Sequence, residues 1–282
     1  IAKFTTDYPT SASGRIHNIK TAADKINGTI VKPGEIMSMN ETLGPRTSSK
    51  VWRLAPAIEN KVYKDQLGGG VCQVSTTLFN AVVMSDLEIV EWAHHSWPST
   101  YVDIGCDATI ATGGYDMRFK NNTEWPIYIV SSADTDRKTI MVEVWGRPLP
   151  DGKSIALKGE RTGTTGVPST PVIVTDPKEV SKGRIGQSSI TYKIWYDKDG
   201  KEIDREVIDR HYYAPVAPRI LKPVETPTPS PSETVPAETP ASNPEVPAPA
   251  PSPSPSPSPV QPPAPSPVAP PVSPAPSVAP TP

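Results

Sequence analysis

The sequence predicts an α+β fold: N-terminal helices, then an antiparallel β-rich half, then a small all-β module and an unfolded proline-rich tail. Three observations lead there. Apolar residues recur at helical spacing in two segments before residue 86. From Leu87 onward the pattern changes to alternating β-branched and aromatic runs divided by turn residues, and helices followed by strands are the mark of an α+β domain. Finally, 23 of the 37 prolines fall between Pro227 and Pro282, a stretch without a single aromatic residue. The boundaries expected from these shifts are 1–160, 161–223 and 224–282.

The elements follow in order. "SGRIHNIKTAADKING" sets Ile16, Ile19, Ala23 and Ile26 on one face of a helix, with Gly28 placed to end it. "VKPGEIMSMNETLGPRT" supplies a Pro-Gly turn, a short strand near Glu35 to Met39 and a loop at Gly44-Pro45. After "GGG" at 68–70, Val74, Leu78 and Val82 recur every fourth residue, so residues 71 to about 85 form a second helix with one buried face. "LEIVE", "DATIAT", "MRFKN", "PIYIVSS" and "TIMVEVWG" read as strands, with "NNTEW" and "ADTDR" as hairpin loops. The polar "KGERTGTTG" reads as a joint near residue 160. Beyond it, "SSITYKIWY" and "KEIDREVIDR" flank Asp197-Lys198-Asp199-Gly200, whose Asp-Gly pair suits a tight hairpin. The tail alternates Pro with small residues and has little to bury against the entropy of ordering a backbone, so an extended polyproline-like chain is expected.

Charge excludes some partners. The tail holds four glutamates and no Lys or Arg, which leaves 28 basic against 26 acidic residues in the rest, too even for a nucleic-acid footprint. No run of 18 apolar residues occurs, so no membrane-spanning helix is expected. The chain opens at Ile1 without a leader pattern and is read as the C-terminal portion of a longer protein whose anchor lies further upstream.

The chemistry concentrates in "GGGVCQVSTTLFNA", residues 68–81. Cys72 sits in the first turn of the second helix and shares a side of it with Ser75 and Thr76. Four readings compete. It is a small buried hydrophobe, or half of a disulfide with Cys106, the other cysteine. It is a zinc ligand, which fits least because there is no Cys-x-x-Cys and His94-His95 are adjacent on the chain. Or it is a nucleophile: glycines allow close approach, and the free N–H groups of a helix start both lower a thiol pKa and bind a developing oxyanion. A nucleophile needs a base, and of His17, His94, His95 and His211 the adjacent pair in "AHHSWPSTYV" follows the Cys72 helix most closely.

The segments "NIKTAADKINGTIVKPGEIMSMNETLGPRT", "GGGVCQVSTTLFNA", "HSWPSTYV", "DATI" and "MRFKNNTEWPIYI" together resemble the VanW family over roughly residues 4–150. Residues 168–223 resemble the C-terminal part of a G-five domain, a small extracellular β-module. The resemblance implies an exported protein associated with the wall of a Gram-positive bacterium, acting on peptidoglycan stem peptides and glycan without a metal or other cofactor. It further implies an L,D-transpeptidase with Cys72 as nucleophile and His95, which occupies the family's "HS-x-P" position, as base. Ala93 and Cys106 depart from the family's usual histidine and arginine.

On this reading the backbone N–H groups of Gly69, Gly70 and Gln73 hold the oxyanion. Arg46 in "GPRT" and Arg118 in "MRFKN" hold substrate carboxylates, Ser75, Thr76 and Ser96 line the substrate, and Asp107 either orients His95 or caps a strand. Water in place of the acceptor amine would make the enzyme an L,D-carboxypeptidase. The competing function is a non-catalytic peptidoglycan-binding module in which Cys72 serves packing alone.

Overall fold

The computed structural model describes residues 1–59 and 62–222; the proline-rich segment lies outside them. The chain starts with β1 (Ala2–Asp7), which the sequence reading passed over, and enters α1 (Ser13–Ile26). Gly28 adopts a φ of +86° and turns the chain out of the helix as expected. Two short strands, β2 (Ile30–Val31) and β3 (Ile36–Ser38), lead to α2 (Met39–Leu43), whose first turn is capped by Ser38 accepting from the Glu41 N–H. The hairpin β4 (Leu54–Glu59) and β5 (Val62–Leu67) then delivers the chain to α3 (Val71–Met84). Strands β6 (Glu88–Glu91), β7 (Arg118–Lys120), β8 (Ile127–Asp134), β9 (Thr139–Trp145) and β10 (Ser154–Thr165) follow. Last come β11 (Val172–Val174), β12 (Gly186–Tyr196), β13 (Glu202–Tyr213) and β14 (Arg219–Leu221).

The central sheet has the order β1-β9-β8-β2, antiparallel throughout. Helix α1 packs on β8, and α3 packs on β1 and β9. The core forms between them. Ile19, Ala22, Ala23 and Ile26 of α1 and Val74, Leu78, Phe79 and Val82 of α3 meet Ile129, Ile140, Val142 and Val144, all fully buried. Burying a side chain such as Leu78 contributes about 1.5–3 kcal/mol, and this is the main force holding α3, and hence Cys72, in place. A second sheet, β3-β7-β6, and a third, β10-β12-β13, complete the antiparallel part. A short parallel pair, β11 with β14, closes the C-terminal end. The α+β expectation holds.

Three local expectations are corrected. "DATIAT" is extended but belongs to no sheet. It runs beside α3: Ala108 N–H donates to Thr76 Oγ1, Asn80 Nδ2 donates to the carbonyl of Cys106 just before the segment, and the N–H groups of Thr109 and Ala111 donate to the carbonyls of Ala93 and Tyr115. "NNTEW" joins strands of two different sheets rather than a hairpin. Asn121 redirects the chain there, its side-chain amide donating to the carbonyls of Val31 and Trp125. "KGERTGTTG" is not a joint but most of β10, in register with β12 from Ser154–Tyr196 to Thr165–Gly186. The described residues up to 222 accordingly cluster as one unit. The Asp-Gly hairpin between β12 and β13 forms as expected, with Gly200 at φ +79°.

Candidate active site

The three glycines before α3 are required by what lies over them. A Cβ on Gly68 would stand 2.7 Å from Arg46 Cγ, one on Gly69 would stand 2.3 Å from the Ala55 carbonyl oxygen, and one on Gly70 would stand 2.8 Å from Arg15 Cγ. Gly68 and Gly70 also have φ values of +83° and +108°, which L side chains rarely adopt. The glycine run thus lets two arginine stems lie across the start of the helix. Both guanidinium groups are within electrostatic reach of the Cys72 sulfur. The sequence reading had named Arg46 but not Arg15.

Cys72 is half-buried and not bridged; Cys106 is a separate, buried thiol, which removes the disulfide reading. The Cys72 sulfur lies 3.5 Å from Thr109 Oγ1 and 3.5 Å from the Ile110 carbonyl oxygen. Burial acts to raise its pKa, but hydrogen bonding to His95, the charge of His95 and the contacts with Ile110 and Thr109 outweigh it, and the thiol is lowered to about 7. Cys106 shows the contrast: burial, with Asp103 and Asp107 nearby, pushes its pKa far above the ordinary thiol value.

His95 is anchored from behind. Its Nδ1 lies 2.5 Å from Asp107 Oδ2, and its backbone N–H donates to the same oxygen at 2.8 Å. Burial acts against the imidazolium, yet the Asp107 carboxylate and the Cys72 thiolate raise the ring to about 10. Between about pH 7 and 10 the resting pair is therefore thiolate and imidazolium. Asp107 is 1% exposed and also accepts from Tyr213 Oη at 2.6 Å and contacts His94 Nδ1 at 3.2 Å. Burial alone would raise its pKa, but its hydrogen bonds to His94 and His95 hold it well below the usual carboxylate range. Asp107 thus holds His95 from behind and is too buried to face a cleft.

The oxyanion donors also need redistribution. Gly69 N–H donates to the Gln66 carbonyl and Gln73 N–H to the Gly70 carbonyl, so neither is free. The Gln73 side chain is likewise committed: Nε2 donates to Thr6 Oγ1 and the Asp7 carbonyl, and Oε1 accepts from Arg15. Among the described residues, the N–H groups of Gly70 and Cys72 have no partner, as the first turn of a helix leaves them.

The remaining residues separate by burial. Arg46 is 8% exposed, and its Nη2 is buried without a partner. Ser75 and Thr76 are fully buried in the body of α3, so they do not reach a substrate; Thr76 instead fixes the 108 backbone. Helical spacing put them near Cys72, but the "DATIAT" segment covers that side. Ser96 is exposed next to His95. Arg118 stands on β7 facing Glu91 at 3.9 Å.

Residues missed from the sequence include Ser99, whose Oγ is 3.2 Å from His95 Nδ1, and Tyr101, whose phenol is pushed well above its ordinary pKa by burial and by the charge of Cys72. Both lie in the quoted "HSWPSTYV", so that motif was the available signal. A cleft of about 670 Å³ begins at Ser99 and continues past Trp97, Arg161, Arg184 and Gln187.

A family described as "VanW like protein" matches residues 14–145, a stretch that includes Cys72, His95 and Asp107. The uncharacterized protein YoaR of Bacillus subtilis (strain 168) is 40% identical over 129 residues, covering 46% of this chain and 43% of YoaR. The vancomycin B-type resistance protein VanW of Enterococcus faecalis (strain ATCC 700802 / V583) is 28% identical over 128 residues, covering 44% of this chain and 46% of that protein. The matched region is therefore less than half the length of either curated relative. No solved structure matches. No helix among the described residues is long and apolar enough to cross a membrane.

Proposed function

The chain carries a VanW-like domain over residues 14–145, and on that basis we propose that it acts on peptidoglycan as a cysteine-dependent L,D-transpeptidase outside a Gram-positive cell. The observation that carries this reading is Cys72 at the start of α3, its thiol lowered to about 7 chiefly by His95, whose ring Asp107 holds at 2.5 Å. A packing cysteine needs neither an interacting imidazole nor a buried carboxylate behind it.

The reaction follows from the resting ion pair. The Cys72 thiolate attacks the carbonyl joining an L-centre to the terminal D-residue of a stem peptide, and the oxyanion is received by the free N–H groups of Cys72 and Gly70. His95, already an imidazolium, gives its proton to the departing D-alanine nitrogen. The C–N bond breaks and a thioester remains, with His95 neutral. His95 then takes a proton from the amine of a neighbouring stem peptide as that amine attacks; the C–S bond breaks, the amide cross-link forms and the thiolate–imidazolium pair is restored. Water in the acceptor position gives a carboxypeptidase instead. Arg46 and Arg15, both within electrostatic reach of the Cys72 sulfur, supply positive charge that favours the carboxylate-bearing donor stem, Arg15 being held in place by Ser11 and Gln73. The proline-rich tail from residue 224 serves as a spacer through the wall.

The test is incubation of purified peptidoglycan with the chain and with Cys72→Ser, followed by mass spectrometry of the released muropeptides. New cross-links or D-alanine loss in the first sample alone support the reading. Unchanged muropeptides combined with binding to the sacculus would replace it with the binding-module function.

A further inference from the structure

Beside the catalytic line, but not part of it, lies a second cluster of metal-ligating side chains. Asp209 and His211 are two residues apart on β13 and share a face with Tyr213. That face meets His94, from the loop carrying His95. The His94 Nε2 is 3.0 Å from Asp209 Oδ2, and the rings of His94 and His211 have centroids 4.1 Å apart. All three residues are half-buried, and one ligand atom from each lies within 4.8 Å of the other two.

We propose that His94, Asp209 and His211 form a binding site for a zinc-type divalent cation, which ties strand β13 to the loop bearing the catalytic histidine. Two imidazoles and one carboxylate are the donor set of three-ligand zinc sites that leave a fourth position to solvent. Ligand atoms around one tetrahedral zinc at 2.0–2.1 Å stand about 3.3 Å apart. The His94–Asp209 pair is already near that separation, and a small side-chain rotation brings in His211. The backing is also of the right kind. Asp107 contacts Nδ1 of His94 at 3.2 Å, which is how a carboxylate behind a histidine aims the other ring nitrogen at a metal. A neutral imidazole has one N–H; with it directed at Asp107, the Nε2 lone pair faces the Asp209 carboxylate, and a cation between them resolves that contact. No spacing in the sequence announces this site, because 115 residues separate His94 from Asp209.

The inference does not depend on the proposed reaction, and its test does not use activity. The tag-free full chain carrying Cys72→Ser, so that the thiol cannot bind metal, is titrated with Co(II) and read by visible d–d absorption, then back-titrated with Zn(II). Expected are one Co(II) per chain in a tetrahedral or five-coordinate spectrum, displacement by Zn(II), and affinity at least tenfold weaker after Asp209→Asn or His211→Ala. Saturating Zn(II) should raise the melting temperature of the Cys72→Ser chain and not that of the His211→Ala double variant. Absence of a d–d spectrum, or a spectrum and affinity that survive both substitutions, overturns the site and leaves His94 as a hydrogen-bonding bridge between Asp107 and Asp209.

Discussion

Replacing His95 with alanine isolates what the imidazole does to the thiol. Hydrogen bonding and charge from His95 are the chief influences that bring Cys72 down to about 7 against its burial, so without them the thiol should return to at least its ordinary 9.0. At pH 6 the thiolate share then falls from about 9% to about 0.1%, roughly ninetyfold. The more basic thiolate is intrinsically more nucleophilic, by about eightfold for two pKa units at a Brønsted slope near 0.45. The net expectation at pH 6 is labelling by an aromatic disulfide about tenfold slower than in the parent. Above pH 9.5 the order should reverse, because both thiols are then largely ionised and the variant's is the stronger nucleophile. Stopped-flow absorbance measures both limbs, with Cys72→Ser as the blank for the buried Cys106. Equal rates at pH 6, or a parent whose rate rises only around pH 9, would refute the ion-pair reasoning.

Cys72→Ser should retain the melting temperature and lose all muropeptide conversion, while Cys106→Ser, which removes an unbridged buried thiol, should keep it; the muropeptide assay and a melting curve check both. Arg46→Met, which removes a positive charge within reach of the Cys72 sulfur, should raise KM for a D-alanine-terminated stem peptide about 5–10-fold, roughly 1–1.4 kcal/mol, with a smaller change in kcat. Gly70→Ala puts a Cβ against the Arg15 stem at a φ of +108° and should cost about 1–2 kcal/mol, a fall of about 2–8 °C in Tm by calorimetry. Truncation after Pro223 should leave Tm and turnover of soluble fragments unchanged and alter only retention in intact sacculi; a truncated chain melting several degrees lower would contradict the spacer role.

The amino-acid sequence by itself determined the two long helices, the Asp-Gly hairpin and the α+β class, because each depends on neighbours a few residues away. Helical periodicity needs only the spacing of Val74, Leu78 and Val82, and the hairpin needs only Asp197 to Gly200. The family motif added His95. Tertiary structure decided the rest. "DATIAT" has the composition of a strand, yet its N–H groups go to Thr76 of α3 and to the carbonyls of Ala93 and Tyr115, partners that no local pattern reveals. The glycines at 68–70 read as freedom for the backbone, but what they accommodate, the stems of Arg15 and Arg46, arrives from other elements. Ser75 and Thr76 shared a helix side with Cys72 and were still buried, since a helical wheel shows direction and not what packs against it. Asp107 could be a strand cap or an anchor in the sequence; only the fold brings His94, His95 and Tyr213 around one carboxylate and makes it the anchor. Hydrogen-bond and electrostatic partners are chosen by distance in space, and a linear chain records only distance along itself.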